Sequence, residues 1–160
     1  MSEHQFKGRR EDLRLVTGRG RYTSDHQYSG QVAGHFLRAD RAHARIVRID
    51  VAAARKLPGV LDVLTGDDFV AAGWKGAPAM AFFKGVGGSS LRVPFRTGLA
   101  VGSVRFVGEP VALIVAETEA IAQDAAELVA IDYQDLPVVV TAEAALAAGA
   151  APLHEDMPHN

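Results

Sequence analysis

The chain has 160 residues, of which 48% are hydrophobic and 22% charged, a composition typical of a soluble globular protein with one sizeable core. It contains no cysteine, which excludes disulfides, thiolate zinc sites, iron–sulfur ligation and a cysteine nucleophile from this chain. No apolar run approaches the roughly 20 residues that span a bilayer, and the polar start MSEHQFKGRR lacks the pattern of a signal peptide. We therefore expect a cytoplasmic protein that does not bind membranes.

Charge is distributed unevenly along the chain. The formal net charge is −2, but residues 1–105 hold all 17 Lys and Arg against 9 acids, whereas residues 106–160 hold 10 acids and no Lys or Arg. Two arrangements are compatible with this asymmetry. Either the two parts interleave in one fold and their charges face each other, or a basic face and an acidic face dock onto different partners.

Residues 1–30 are predicted to form an extended basic arm. The run KGRREDLRLVTGRGR at residues 7–21 carries six basic residues and few apolar positions, so a stable helix is not expected there. Nucleic-acid binding is not expected either, because the segment has only one aromatic residue, Tyr22 at its end, and the chain is acidic overall. Arginines in such an arm more often pair with carboxylates across a subunit contact. The candidate docking residues are Arg9, Arg10, Glu11 and Asp12.

The part that follows alternates short strands with short helices. Apolar periodicity predicts strands at 31–38, 44–51 and 60–64, a short helix at 51–57, and a second helix whose cap lies within 65–68. Residues 73–98 contain six glycines and little apolar periodicity. A loop of this length inside a domain is usually functional or mobile.

Residues 104–136 are predicted to form the packing core. A short strand at 104–107 precedes a bend at Gly108, Glu109 and Pro110, because a residue before proline is kept out of the helical region. A continuous apolar run then predicts a buried strand, and Thr118 is placed to cap an alanine-rich helix that leads into another strand, which makes a β-α-β unit. A last strand at 138–140, a helix at 141–148 and a patternless tail at 149–160 complete the chain.

None of these patterns predicts a catalytic, cofactor-binding or metal-binding residue. The loop GVGGSS at 85–90 could place glycine amides around an anion, but it lacks the lysine and the Ser/Thr of a phosphate-binding loop. His154 and His159 are five residues apart in a patternless tail, and no carboxylate joins them at metal-ligand spacing in a regular element. Glu109 has apolar neighbours that could raise its pKa, but the sequence offers it no catalytic partner.

Four segments, taken together and in order, resemble the N-terminal α/β-hammerhead domain of the molybdenum hydroxylase large subunit. This is the family of aerobic carbon monoxide dehydrogenase, aldehyde oxidoreductase and xanthine dehydrogenase, and the basic arm is most similar to the carbon monoxide dehydrogenase and aldehyde dehydrogenase types. The segments are RREDLRLVTGRGRYTSD at 9–25, AHARIVRID at 42–50, PGVLDVLTGDD at 58–68 and VRFVGEPVALIVAETEAIAQDAAELVAIDYQDLP at 104–137.

The resemblance implies an α+β fold, the α/β-hammerhead, with a mixed sheet, packed helices and a bent hairpin whose bend is at Gly108, Glu109 and Pro110. The hammerhead domain would occupy residues 31–148, and the tail at 149–160 would lead toward a molybdopterin-binding region that this sequence lacks. The chain would then be a fragment, or the product of a split gene.

The resemblance also implies that the catalytic machinery lies elsewhere. This chain would be a non-catalytic structural and assembly domain, inactive alone, whose partners are the molybdopterin-binding region and the iron–sulfur and FAD subunits. The full complex would contain molybdopterin-molybdenum, iron–sulfur clusters and FAD, with none of these held by this chain. The alternative, from the residues alone, is a free-standing small-molecule or anion-binding module that uses the glycine-rich loop.

Overall fold

The computed structural model describes residues 8–9, 11–77, 83–89, 93–94 and 96–157. The chain divides into two compact units, Met1–Gln31 and Val32–Asn160. In the first unit, Asp12–Val16 forms the five-residue helix α1, and Thr23–Asp25 forms one turn of 3-10 helix. Both elements are too short to be stable helices on their own, so local contacts hold them.

The second unit contains six strands and three helices of α type within the described residues. The strands are β1 (Ala33–Arg38), β2 (Ala44–Asp50), β3 (Val60–Thr65), β4 (Ser103–Val104), β5 (Pro110–Ala116) and β6 (Ala130–Asp135). The helices are α2 (Gly66–Ala71), α3 (Glu119–Glu127) and α4 (Ala142–Leu146), and a 3-10 turn covers Ala54–Lys56. None of the helices described above has the length and apolarity that crossing a bilayer requires.

The strands form two small sheets, and every pairing between the described strands is antiparallel. The first sheet has the order β1-β5-β3, and the second has the order β4-β2-β6. The α+β class is thus confirmed, whereas the predicted mixed sheet and β-α-β unit are wrong for the described strands. The reason is that β1 and β3 occupy both edges of β5, so the chain that leaves α3 can pair only elsewhere, and it joins β2.

Helix α3 packs against all three strands of the first sheet. The Thr118 hydroxyl accepts a hydrogen bond from the Ile121 amide at 3.3 Å, which caps the helix as the sequence predicts. Its small side chains allow a close approach to the strands. The core between helix and sheet consists of Ala54, Val63, Ala112, Ile114, Ala116, Ala122, Ala125 and Ala126.

A second core lies between the two sheets, where Leu37 packs against both cores. Its buried residues are Ala39, Ala44, Ala100, Val104 and Val111. Each sheet combines strands from the basic part of the sequence with one strand from the acidic part. The interleaved arrangement is therefore the one that this fold adopts.

Several predicted boundaries differ from the observed elements. The strand predicted at 104–107 stops at Val104, and the helix predicted at 51–57 is only the 3-10 turn. Residues 138–140, which lie within the described residues, form no strand although all three are valines. A strand needs a neighbour with a free edge, which strand propensity alone does not provide.

Candidate functional site

The turn before β5 ties the end of β1 to the rest of the second unit. Gly108 has a φ of 89°, a left-handed conformation that favours glycine. Its amide donates to the Ala39 carbonyl at 2.8 Å, and the Arg38 guanidinium donates to the Gly108 carbonyl at 2.8 Å. The Ala39 amide in turn donates to the Glu109 carbonyl at 2.9 Å. These bonds fix the bend by backbone contacts on both sides.

The side chain of Glu109 closes the same turn. One of its carboxylate oxygens accepts a hydrogen bond from the Arg105 amide at 2.5 Å. The Pro110 carbonyl accepts from the Ala100 amide at 2.7 Å. The contacts of Glu109 are those of a turn-closing residue.

A cavity of about 670 Å³ opens beside this turn, between β2, β4 and the turn near the C-terminal end of the described chain. Its polar lining includes Arg45, Ser103, Arg105, His154 and Glu155. A neighbouring cavity of about 390 Å³ shares Arg105 and His154 with it and adds Arg96 and Glu109 to the lining. Three arginines therefore line two neighbouring cavities that are also lined by carboxylates.

Arg105 has an incomplete set of hydrogen bonds. Its Nη1 contacts the Ser103 carbonyl at 3.4 Å, a long distance for a hydrogen bond, and its Nε is buried without a partner among the described residues. A buried donor without a partner costs about 1–3 kcal/mol, so it calls for an explanation. Burial, the largest cause, and the charges of Arg105 and Arg96 lower the pKa of His154, whereas Asp156 and Glu109 raise it.

Sequence reasoning did not single out Arg105. The signal was present, since an arginine in the run VRFV interrupts a segment that is otherwise suited to a strand core. Its position four residues before Glu109 also gave no hint of the contact between them, because the intervening bend brings them together.

The candidate docking residues lie at the start of α1, in the first unit. The Arg9 amide donates to the Asp12 carboxylate at 2.7 Å, and Glu11 occupies the N-cap position of the helix. Arg10 lies outside the described residues. The local contact between Arg9 and Asp12 explains why a helix starts there, and the docking role of these residues stays a prediction.

The glycine-rich loop uses part of its hydrogen-bonding capacity internally. The Gly85 amide donates to the Ser89 carbonyl at 2.9 Å, and the Gly88 amide donates to the Gly85 carbonyl at 3.0 Å. Two amides that an anion cradle would need are thus already paired, which weakens the anion-binding alternative. Ser90, the last residue of the predicted loop, lies outside the described residues.

Histidines do not form a metal site in the part of the chain that the structure describes. No group of three or more His, Asp or Glu side chains in those ranges is placed to hold a metal ion. His43 is 8% exposed, and its Nδ1 lies 2.8 Å from the Pro137 carbonyl, to which it donates. It is therefore a satisfied structural residue. His159 lies outside the described ranges.

Comparison with known protein families gives a match over most of the chain. The family described as "Aldehyde oxidase and xanthine dehydrogenase, a/b hammerhead domain" matches residues 17–137. The nicotine 6-hydroxylase large subunit of Paenarthrobacter nicotinovorans is 42% identical over 134 residues, which is 82% of this chain and 15% of that protein. The carbon monoxide dehydrogenase large chain of Afipia carboxidovorans is 38% identical over 147 residues, 92% of this chain and 17% of that protein.

Solved structures give the same result. Quinoline 2-oxidoreductase from Pseudomonas putida 86 is similar with a TM-score of 0.84 and 46% identity, covering 95% of this chain and 18% of that chain. The Cu,Mo-CO dehydrogenase in its carbon monoxide-reduced state has a TM-score of 0.78 and 36% identity, covering 94% and 18%. The chain thus spans less than a fifth of the length of these relatives.

Proposed function

This chain belongs to the aldehyde oxidase and xanthine dehydrogenase family, whose a/b hammerhead domain it contains, and on that premise we propose that it is a non-catalytic structural and assembly domain. The larger protein that it serves would be a molybdenum-containing hydroxylase of the cytoplasm, an oxidoreductase similar to the carbon monoxide or aldehyde dehydrogenase large chain. The small share of each relative that the chain covers supports this proposal, because most of the length of each relative lies outside the hammerhead domain.

The observation that carries the proposal is an apolar sheet face that α3 does not cover. In the first sheet, Phe36 lies directly opposite Leu113, and Leu64 flanks Leu113 on its other side. This alternation places them on the face opposite Ile114 and the alanines that pack against the helix. Phe36 is 43% exposed, and the other two are half-buried. An exposed aromatic ring beside two half-buried leucines on an uncovered sheet face favours an interaction surface.

We assign the molybdopterin-binding region of the same hydroxylase as the occupant of this apolar sheet face. In the resemblance described above, that region follows the hammerhead domain in one polypeptide. The turn at Gly108, Glu109 and Pro110 would act as a scaffold next to the face, since Arg38 contacts both the Gly108 carbonyl and, at 5.9 Å, the Phe36 ring. The residues of the arm, Arg9, Arg10, Glu11 and Asp12, would add charged contacts with partner subunits.

The described residues do not fit the metal groups of such an enzyme. The sequence has no cysteine for an iron–sulfur cluster, and the described ranges offer no cluster of three metal ligands. Iron–sulfur clusters would therefore be held by partner regions, and in the proposed complex those regions would hold molybdopterin-molybdenum and FAD as well. The purified chain is expected to be colourless and metal-free, and to show no turnover of aldehydes or carbon monoxide.

Co-purification tests the docking face. A tagged molybdopterin-binding region from the same genome is expressed together with this chain, either unchanged or carrying Phe36→Asp. We expect the Phe36→Asp chain to be lost from the purified complex, because a buried charge at an apolar contact is costly. Leu146→Asp is the matched control, because Leu146 is 79% exposed on α4 and lies outside the sheet. Equal recovery of both variants would contradict the assignment, provided that circular dichroism shows both to be folded.

A further inference from the structure

The polar cavity beside Arg105 is independent of the apolar sheet face and needs its own explanation. A side chain in the interior normally has its donors paired, yet the Nε of Arg105 is buried and has no partner among the described residues. In the described part of the chain, the hydrogen bond of this guanidinium is the one that Nη1 donates to the Ser103 carbonyl. The edge formed by Nε and Nη2 thus has no hydrogen-bond partner among the described residues, and it is the edge that carboxylates contact with two parallel hydrogen bonds.

We propose that this cavity binds a carboxylate through the Nε and Nη2 edge of Arg105. Arg45, in the same lining, supplies a second positive charge, because its ion pair with Glu155 is 3.9 Å long and that carboxylate is 90% exposed. Since Nε is covered by the protein, the guanidinium would have to rotate to present this edge to a carboxylate in the cavity. The bound carboxylate then satisfies the donor that is otherwise unpaired.

The charges around the cavity select the class of ligand. Three guanidiniums, Arg45, Arg96 and Arg105, are opposed by the carboxylates of Glu109, Glu155 and Asp156. The net charge of these six groups is near zero, so a dianion such as phosphate gains little electrostatic attraction. A planar, singly charged carboxylate instead matches the two parallel N–H donors of one guanidinium. His154 is largely neutral at pH 7, because burial and the two arginines lower its pKa, and it therefore adds no positive charge.

Nuclear magnetic resonance of the arginine Nε–H groups tests the site on the whole 160-residue chain. Sodium acetate, butyrate, phosphate and chloride are titrated separately at matched ionic strength. Acetate and butyrate are expected to move the Arg105 Nε–H signal downfield in a saturable way and to slow its exchange with solvent. Absence of a saturable shift with both carboxylates overturns the proposal, as does phosphate binding that equals or exceeds acetate binding.

Two variants separate the fork from a general charge effect. Arg105→Lys keeps the positive charge but loses the paired Nε and Nη2 donors. The dissociation constant of acetate, measured from the shift of the Ser103 amide, should rise at least about tenfold, because charge-assisted hydrogen bonds contribute about 1.5–3 kcal/mol. Arg48→Lys is the control, because Arg48 pairs with Asp50 at 2.6 Å and does not line this cavity. The amide spectrum of each variant verifies its fold. Unchanged binding in Arg105→Lys overturns the proposal.

The same titration distinguishes two sources of the carboxylate. A free carboxylate ligand would gain from contacts along the cavity, so butyrate would bind clearly more tightly than acetate. An Asp or Glu side chain from another polypeptide would leave acetate and butyrate with equal, weak binding, because only the carboxylate group would be recognised. Both outcomes support the carboxylate site, and neither depends on the apolar sheet face.

Discussion

Gly66 offers a sharp test of the packing between α2 and the segment that precedes β4. Gly66 is the first residue of α2 and is buried. A Cβ atom at this position would lie well inside contact distance of the Ala100 carbonyl oxygen, 2.9 Å from the Ala100 carbonyl carbon and 2.9 Å from a Val101 methyl group. The obstacle is backbone, so no side-chain rotation can relieve it. Gly66→Ala therefore forces the two segments apart.

The expected loss of unfolding free energy is about 3 kcal/mol. Overpacking typically costs about 1–3 kcal/mol, and a backbone obstacle belongs at the upper end of this range. The better helix propensity of alanine returns less than about 1 kcal/mol. For a protein of this size, the melting temperature should fall by about 6–12 °C. Urea denaturation followed by circular dichroism measures the change in free energy directly.

Gly34→Ala is the matched control for this substitution. A Cβ at Gly34 would meet only a Leu113 methyl group at 3.5 Å, which is an ordinary van der Waals contact. Because glycine weakens a strand, Gly34→Ala should be neutral or stabilise the protein by about 0.5 kcal/mol. If Gly66→Ala and Gly34→Ala unfold at the same urea concentration, the proposed contact between α2 and Ala100 is wrong.

Three further predictions concern the arm and two local hydrogen-bonded sites. Arg9 and Arg10, changed together to alanine, should weaken co-purification with the partner subunits, and unchanged recovery would remove their docking role. Asp68→Asn should cost about 1 kcal/mol in urea denaturation, because the carboxylate of Asp68 closes the capping box of α2. Hydrogen bonds to Thr65 lower the pKa of Asp68 below 3.8, so its contribution is present above the unfolded-state pKa and is lost as the pH falls through the folded-state pKa; the difference between Asp68→Asn and the unchanged chain should shrink in acid. Glu109→Ala should cost about 1.5–3 kcal/mol through the lost charge-assisted hydrogen bond, whereas Glu127→Ala on the exposed side of α3 should cost less than about 0.5 kcal/mol.

Local features of the fold could be predicted well from the sequence. The Thr118 cap, the buried alanines of α3 and the apolar strand β5 all follow from residue spacing within about ten positions. The bend at Gly108 follows in the same way, because glycine and the residue before proline restrict the backbone locally. The family resemblance supplied the hammerhead fold beyond these local rules.

The pairing of the strands could not be predicted in the same way. Strand β5 has neighbours on both edges, one about 75 residues earlier in the chain, and no local pattern records which edges are occupied. A strand was wrongly predicted at the three valines 138–140, because strand propensity does not take into account the need for a neighbouring strand. Arg105 was missed because its unpaired Nε depends on how three separate segments enclose the cavity.

The most direct test of the proposed function compares this chain alone with the same chain co-expressed with the molybdopterin-binding region and the iron–sulfur and FAD subunits. Molybdenum content and the oxidation of aldehydes and carbon monoxide are measured for both preparations, and for the partner regions and subunits expressed without this chain. We predict that the chain alone contains no molybdenum and has no activity, and that omission of the chain prevents formation of an active complex. An isolated chain that carries its own pterin and oxidises either substrate would contradict the proposal, as would a fully active complex that assembles without it.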